Sequence, residues 1–183
     1  MIKIDIKDIK SQLQDSKKII VIPHKNPDGD AIGSCVAINE LLKSLGHKSS
    51  IISPNNFPDF LKWMDNEDEI KIYENNPELF NNEILNSDII FTLDFNSLSR
   101  IGLMGEIVKE SKALKIMIDH HQNPENYAKY TYSDVNMSST CEMVYHFITE
   151  LSLKNEINSK IASALYTGIM TDTGSFKFPL TTY

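Results

Sequence analysis

The chain has 183 residues, 41% hydrophobic and 23% charged, enough to bury roughly 70% of its extended-chain surface around the core of one ordinary domain. Its 18 Lys and Arg against 25 Asp and Glu leave a formal net charge of -7, which argues against a surface that grips a long polynucleotide track by counterion release. Cys35 and Cys141 have neither CxxC spacing nor histidines at zinc-finger intervals, so a disulfide framework and a structural zinc site both fail. No run reaches the ~18 apolar residues of a membrane span and the N-terminus offers no apolar signal region, so a cytoplasmic protein with no membrane partner is expected.

In chain order, Ile6, Ile9 and Leu13 lie three and four apart and predict a short amphipathic helix between Ile4 and Gln14. Lys18 to Pro23 (KIIVIP) is a β-branched apolar run too short for a helix, as expected of a strand covered on both faces. It ends at His24. After a polar turn, Ile32, Val36, Leu41, Leu42 and Leu45 form a helical stripe that stops at Gly46, and Lys48 to Ser53 reads as the next strand. That βαβ unit predicts a parallel sheet. From Pro54 to Asn86 the sequence is least informative, with a short aromatic helix around Phe57 to Met64 and a strand near Glu69 to Tyr73.

Ser87 to Leu93 and Ala113 to Ile118 repeat the pattern of the first strand, and each is followed by an aspartate, Asp94 and Asp119. A helix is predicted between them over Ile101 to Ser111, and a short strand near Tyr130 to Tyr132. Ser139 and Glu142 have capping-box spacing at the head of a helix that runs to Leu151, and Ser159 to Met170 is a further apolar helix leading into TDTGSF. Alternating strands and helices define an α/β fold with a mainly parallel sheet flanked by helices.

In such a sheet ligands bind beyond the carboxyl ends of the strands. Those ends here carry His24, Asp28 and Asp30; then Asp94; then Asp119, His120 and His121; a helix end adds Asp172. Any one of these acids reads most simply as a turn former or helix cap. As a set, bare carboxylates within a few ångströms would raise one another's pKa, so cations must compensate. Carboxylates mixed with imidazoles suit Mn²⁺ over Mg²⁺ and disfavour zinc, and the ligand count suits two ions per chain rather than one. Mg²⁺ and Co²⁺ are further options.

The segments HKNPDGDAIGS, LDFNSLSRIG, IDHHQNP, SSTCEMVY and GIMTDTGSF resemble, in order, the motifs of the DHH phosphoesterases, closest to the bacterial oligoribonuclease/pAp phosphatase branch. This resemblance implies that the fold is the N-terminal domain of that family. It implies that His24 and Asp28 hold a first metal, that Asp30, His120 and Asp172 hold a second, and that Asp94 bridges both. It further implies that His121 faces the scissile phosphate while Asp119 orients an imidazole, with direct ligation by Asp119 as the runner-up. Arg100, the one arginine, either holds a substrate phosphate or ties down its loop; Ser138, Ser139 and Thr140 open a helix whose amides either face an anion or are capped together with Glu142.

The expected activity is therefore Mn²⁺-dependent hydrolysis, by in-line attack of a bridging hydroxide, of short oligonucleotides or of 3′-phosphoadenosine 5′-phosphate (pAp). Manganese pyrophosphatase, cyclic-dinucleotide phosphodiesterase and a non-catalytic nucleotide-sensing module are the alternatives. Residues 1–183 are read as the catalytic domain alone, since relatives of this branch continue into a smaller nucleotide-binding domain where this chain stops at KFPLTTY. Oligomeric state is left open, a homodimer included.

Overall fold

Residues 6–65, 69–178 and 181 are described by the computed structural model. Six strands, β1 (Lys18–Ile22), β2 (Lys48–Ser53), β3 (Ile70–Ile72), β4 (Ile89–Leu93), β5 (Leu114–Asp119) and β6 (Tyr130–Ser133), form one sheet in the order β3-β2-β1-β4-β5-β6. Every pairing is parallel, with Val21 beside Ile51 on one side and beside Phe91 on the other. The helices are α1 (Ile6–Gln12), α2 (Gly29–Ser44), α3 (Pro77–Leu85), α4 (Met104–Glu110), α5 (Thr140–Glu150) and α6 (Ser159–Asp172). No helix among the described residues is long and apolar enough to cross a membrane.

Side chains alternate across a strand, and here both faces are apolar because both are covered. Ile19, Val21, Ile51, Phe91 and Ile116 join a core with Ile9 of α1, Ile32 and Val36 of α2, Phe147 of α5 and Ile161 of α6. Ile20, Ile22, Ile52 and Ile90 join a second core with Phe80 and Ile84 of α3 and Met104 and Val108 of α4. The result is three layers. The expected α/β class and parallel sheet are found.

The chain builds outward from β1 to β2 and β3, then returns to place β4 on the other side of β1 and continues to β5 and β6. Loops leaving the carboxyl ends of β1 and β4 therefore diverge, which opens a crevice at the reversal point of the strand order.

Several elements differ from expectation. The aromatic segment is a 3₁₀ helix over Asp59–Met64, preceded by Pro58. The predicted helix 101–111 is split into a 3₁₀ turn, Leu98–Ile101, and α4, because Gly102 at φ 59° takes a left-handed turn between them. Helix α3 lies inside the stretch that read as uninformative; the Asn76 carboxamide oxygen caps it at Leu79 N–H and Pro77 opens it. Helix α2 is buried on nearly every side from Gly29 to Asn39, wedged between the sheet and α6, so its single apolar stripe understated its burial. For the first helix, Ile4 lies outside the described residues, while Ile9 is fully buried.

Candidate metal centre

Each candidate side chain is aimed by the end of an element. His24 follows β1 after Pro23; Asp28 is the N-cap of α2, where its Oδ1 accepts hydrogen bonds from Asp30 N–H (3.0 Å) and Ala31 N–H (3.1 Å). Asp28 thus performs the structural capping role as well. Asp30 sits in the first turn of α2, and its buried carboxylate crosses to the head of α5, accepting from Thr140 N–H (2.6 Å) and Cys141 N–H (2.9 Å). Asp94 leaves β4 at φ 66°, a left-handed conformation that aspartate tolerates better than most residues, and its N–H donates to Ile118 O (3.1 Å). Asp119 ends β5, His120 and His121 follow it, and Asp172 ends α6.

The geometry gathers these residues into three overlapping groups in which all ligand atoms lie within 4.8 Å of one another: His24, Asp28 and Asp94; Asp30, His120 and Asp172; and Asp94, His120 and His121. His24 Nε2 is 3.5 Å from Asp94 Oδ2 and 4.0 Å from Asp28 Oδ1. His120 Nε2 is 3.7 Å from Asp94 Oδ1 and 3.4 Å from Asp172 Oδ2. Two donors bound at right angles or slightly wider to one small divalent ion at about 2.1 Å stand ~3.0–3.5 Å apart.

The histidine tautomers follow from their other nitrogens. A backbone carbonyl can only accept, so His24 Nδ1–H donates to Lys25 O (2.8 Å) and His120 Nδ1–H donates to Met137 O (3.2 Å). That leaves Nε2 of each ring facing carboxylate oxygens. Lone pair against lone pair is repulsive unless a proton or a cation lies between them. Burial lowers the His24 pKa, partly offset by the Lys25 carbonyl and Asp28, which keeps that ring in its ligand form. His121 Nδ1–H donates to Asp119 Oδ1 (2.7 Å), a bond that raises the His121 pKa against its burial.

The acids behave as their crowding requires. Burial pushes Asp94 well above the usual carboxylate range, with the charges of Asp30 and Asp28 adding to it and the Thr140 hydroxyl opposing. Burial pushes Asp30 up to about 6 despite the hydrogen bonds from Cys141 and Thr140, and it raises Asp172 while His120 draws it back. No Lys or Arg forms an ion pair with any of these acids among the described residues. A site of four carboxylates with no Lys or Arg paired to them among the described residues, and with two imidazole Nε2 atoms turned inward, fits divalent metal.

The remaining sequence candidates fall around this centre. Ser138 lines a cleft of about 260 Å³ beside His120, His121, Met137 and Asp172. Ser139 is fully buried and its hydroxyl oxygen accepts from Glu142 N–H (3.0 Å), while Glu142 Oε2 accepts from Ser138 N–H (2.7 Å); this is the capping arrangement. Arg100 is exposed, and its charge lowers the pKa of both His24 and His121. Asp119 is fully buried on His121. Cys35 and Cys141 are free and buried.

One role and one contributor escaped the sequence, which marks Thr140 for its amide at the head of the helix and not for its hydroxyl. Thr140 Oγ–H donates to Asp94 Oδ1 (2.9 Å). Glu125, four residues past His121, accepts from Ser97 Oγ–H (2.7 Å) and Leu98 N–H (3.1 Å), fastening the loop that bears Arg100 to the loop that follows β5. Its signal was weak: an acid in QNPENY, with nothing local to show its partner.

Residues 18–169 match the DHH family, N-terminal domain, and the chain belongs to that family. Among solved structures it is similar to an exopolyphosphatase-related protein from Bacteroides fragilis, at 40% identity and a TM-score of 0.94, over 97% of this chain and 52% of that one. It is 32% identical to the bifunctional oligoribonuclease and PAP phosphatase NrnA of Thermus thermophilus and 30% identical to that of Bacillus subtilis. Each match covers 90% of this chain, against 46% and 49% of those relatives. The chain thus spans about half the length of the relatives it matches.

Proposed function

We propose that this chain carries the metal-dependent chemistry of a phosphoesterase that cleaves short oligonucleotides or removes the 3′-phosphate of pAp, with Mn²⁺ as its ion. The observation that carries it is that His24 and His120, each with Nδ1 taken by a backbone carbonyl, turn Nε2 toward Asp94, and toward Asp28 and Asp172 respectively, with no Lys or Arg paired to these acids among the described residues. His24, Asp28 and Asp94 would hold one ion; Asp30, His120, Asp172 and the other oxygen of Asp94 would hold a second. Two such ions, when bound, supply an acidified water for in-line attack and positive charge for the phosphoryl oxygens.

The protein's own groups do the rest. Without cations the four acids repel any phosphate, so substrate entry depends on loading. His121, held by Asp119 and raised in pKa, lines the cleft and can donate to a phosphoryl or leaving oxygen there. Arg100, whose loop is fastened by Glu125, is a candidate clamp for a second phosphate, and Ser138 for the nucleotide backbone. The nucleotide substrate class is supported by the two NrnA relatives, which are named for it. Because those relatives are about twice as long, slow turnover with weak saturation is expected of this span, remote binding energy being what orients a substrate.

The test is product analysis with Mn²⁺-loaded protein on pAp, a diadenylate, inorganic pyrophosphate and a cyclic dinucleotide. Release of phosphate from pAp or of mononucleotide from the diadenylate is expected, with pyrophosphate untouched. Hydrolysis confined to pyrophosphate or the cyclic dinucleotide would reassign the substrate. Binding of nucleotide with no hydrolysis by the loaded protein would make it a sensing module.

A further inference from the structure

Thr140 is fully buried in the first turn of α5 and reaches two acids at once. Its hydroxyl donates to Asp94 Oδ1 (2.9 Å) and its backbone N–H donates to Asp30 Oδ2 (2.6 Å). We infer that Thr140 is a positioning residue that dedicates one oxygen of Asp94 to the ion on the Asp30–His120–Asp172 side; the inference rests on the two-ion reading above.

The two oxygens of Asp94 have different neighbours. Oδ2 lies 3.5 Å from His24 Nε2, whereas Oδ1 lies 3.7 Å from both His120 Nε2 and His121 Nδ1. Thr140 binds the second of these. Among the described residues its hydroxyl makes the one hydrogen bond that the Asp94 carboxylate accepts. A carboxylate oxygen has two lone pairs, so a hydroxyl on one leaves the other for a cation while stopping the group from turning about its last bond. Through its backbone, the same residue fixes Asp30, which belongs to the same side.

The hydroxyl itself is well anchored. Ser139 caps α5 at Glu142 N–H, Glu142 returns to Ser138 N–H, and Cys141 N–H holds the other oxygen of Asp30 (2.9 Å). Thr140 is thus set on a rigid helix start, and its reach to Asp94 spans 46 positions of sequence. Partners that orient a ligand in this way usually matter to ion affinity nearly as much as the ligand itself.

A purely structural Thr140 would make a different prediction. Its methyl would fill space at the head of α5, and its loss or change would lower folding stability without distinguishing one ion from the other. Thr140→Val keeps the shape and deletes the hydroxyl; Thr140→Ser keeps the hydroxyl and deletes the methyl.

The experiment is calorimetric Mn²⁺ titration of the 183-residue chain and its variants, with folding checked by thermal unfolding in chelator. In a His24→Ala background, which disables the first group, Thr140→Val should weaken the remaining Mn²⁺ about 10- to 100-fold, against about threefold or less in a His120→Ala background. Thr140→Ser should restore most of the lost affinity. If Thr140→Val does not fold, Thr140→Ala removes the hydroxyl together with the methyl, and Thr140→Ser, which lacks only the methyl, isolates the hydroxyl's share. Unchanged affinity in the His24→Ala background, equal losses in both backgrounds, or a serine variant as weak as the valine one would overturn the inference while leaving two-ion binding by the parent chain intact. A parent chain that takes up no Mn²⁺ would overturn the metal reading, and this inference with it.

Discussion

Replacing Asp30 by asparagine should shift the stability of the metal-free protein, relative to its parent, progressively in the variant's favour as pH rises from 4 to 7. Burial holds the Asp30 carboxyl at about 6 in the folded state, against an ordinary value of 3.8. A raised folded pKa means that the folded state binds the proton more tightly, so stability is fully present below the unfolded value and is lost as pH climbs through the folded one. About two pKa units at 1.36 kcal/mol each put that loss near 3 kcal/mol, or roughly 6–12 °C in melting temperature for a domain of this size. The carboxamide of the variant does not titrate; its oxygen keeps one of the two amide bonds while its NH2 is set against the other N–H, an offset that does not vary with pH, so the change with pH reports the parent's carboxyl. His24 and His47, whose lowered pKa values favour stability in the opposite direction, titrate in both proteins and cancel in the difference. The assay is denaturant or thermal unfolding in chelator at closely spaced pH, repeated with Mn²⁺, where the trend should reverse because the parent gains ion binding. A stability difference that stays flat or moves in the parent's favour across this window in chelator would refute the reasoning.

Asp94→Asn should lower Mn²⁺ stoichiometry at both groups together, because a neutral amide bridges two cations poorly, whereas His24→Ala should weaken one; elemental analysis after dialysis separates these. His121→Ala should cost turnover far more than metal content, and a collapse of occupancy along with rate would move His121 into the ligand set. Gly168→Ala should destabilise by about 1–3 kcal/mol, since a Cβ there would collide with Cys141 Sγ and stand 2.8 Å from Asp30 Oδ1; calorimetric unfolding reads the loss and Mn²⁺ titration the displaced acid.

The parallel strands β1, β4 and β5 are legible because each is a short, mainly apolar run bounded by polar turns, while β2, whose apolar residues are Ile51 and Ile52, is legible from its place after the helix stop at Gly46. The acids and histidines at their ends are legible for the same reason: once the strand ends are known, the topology brings them to one crevice. Helix α3 was missed although Asn76 and Pro77 mark its start, because the asparagines around it imitate loop composition. The break at Gly102 was missed because the apolar positions on either side of it continue a helical spacing. Partnerships across the chain were beyond reach. Thr140 with Asp94, Asp30 with the α5 amides, and Glu125 with Ser97 each join segments 28 to 111 positions apart, and no local pattern encodes which buried hydroxyl meets which acid.

Anomalous diffraction at the manganese edge, from crystals grown or soaked with Mn²⁺, bears most directly on the two-ion centre. Two peaks about 3.5–4 Å apart are expected, one against His24 and Asp28, the other against His120 and Asp172, with Asp94 touching both. A single peak, or none within reach of Asp94, would contradict it.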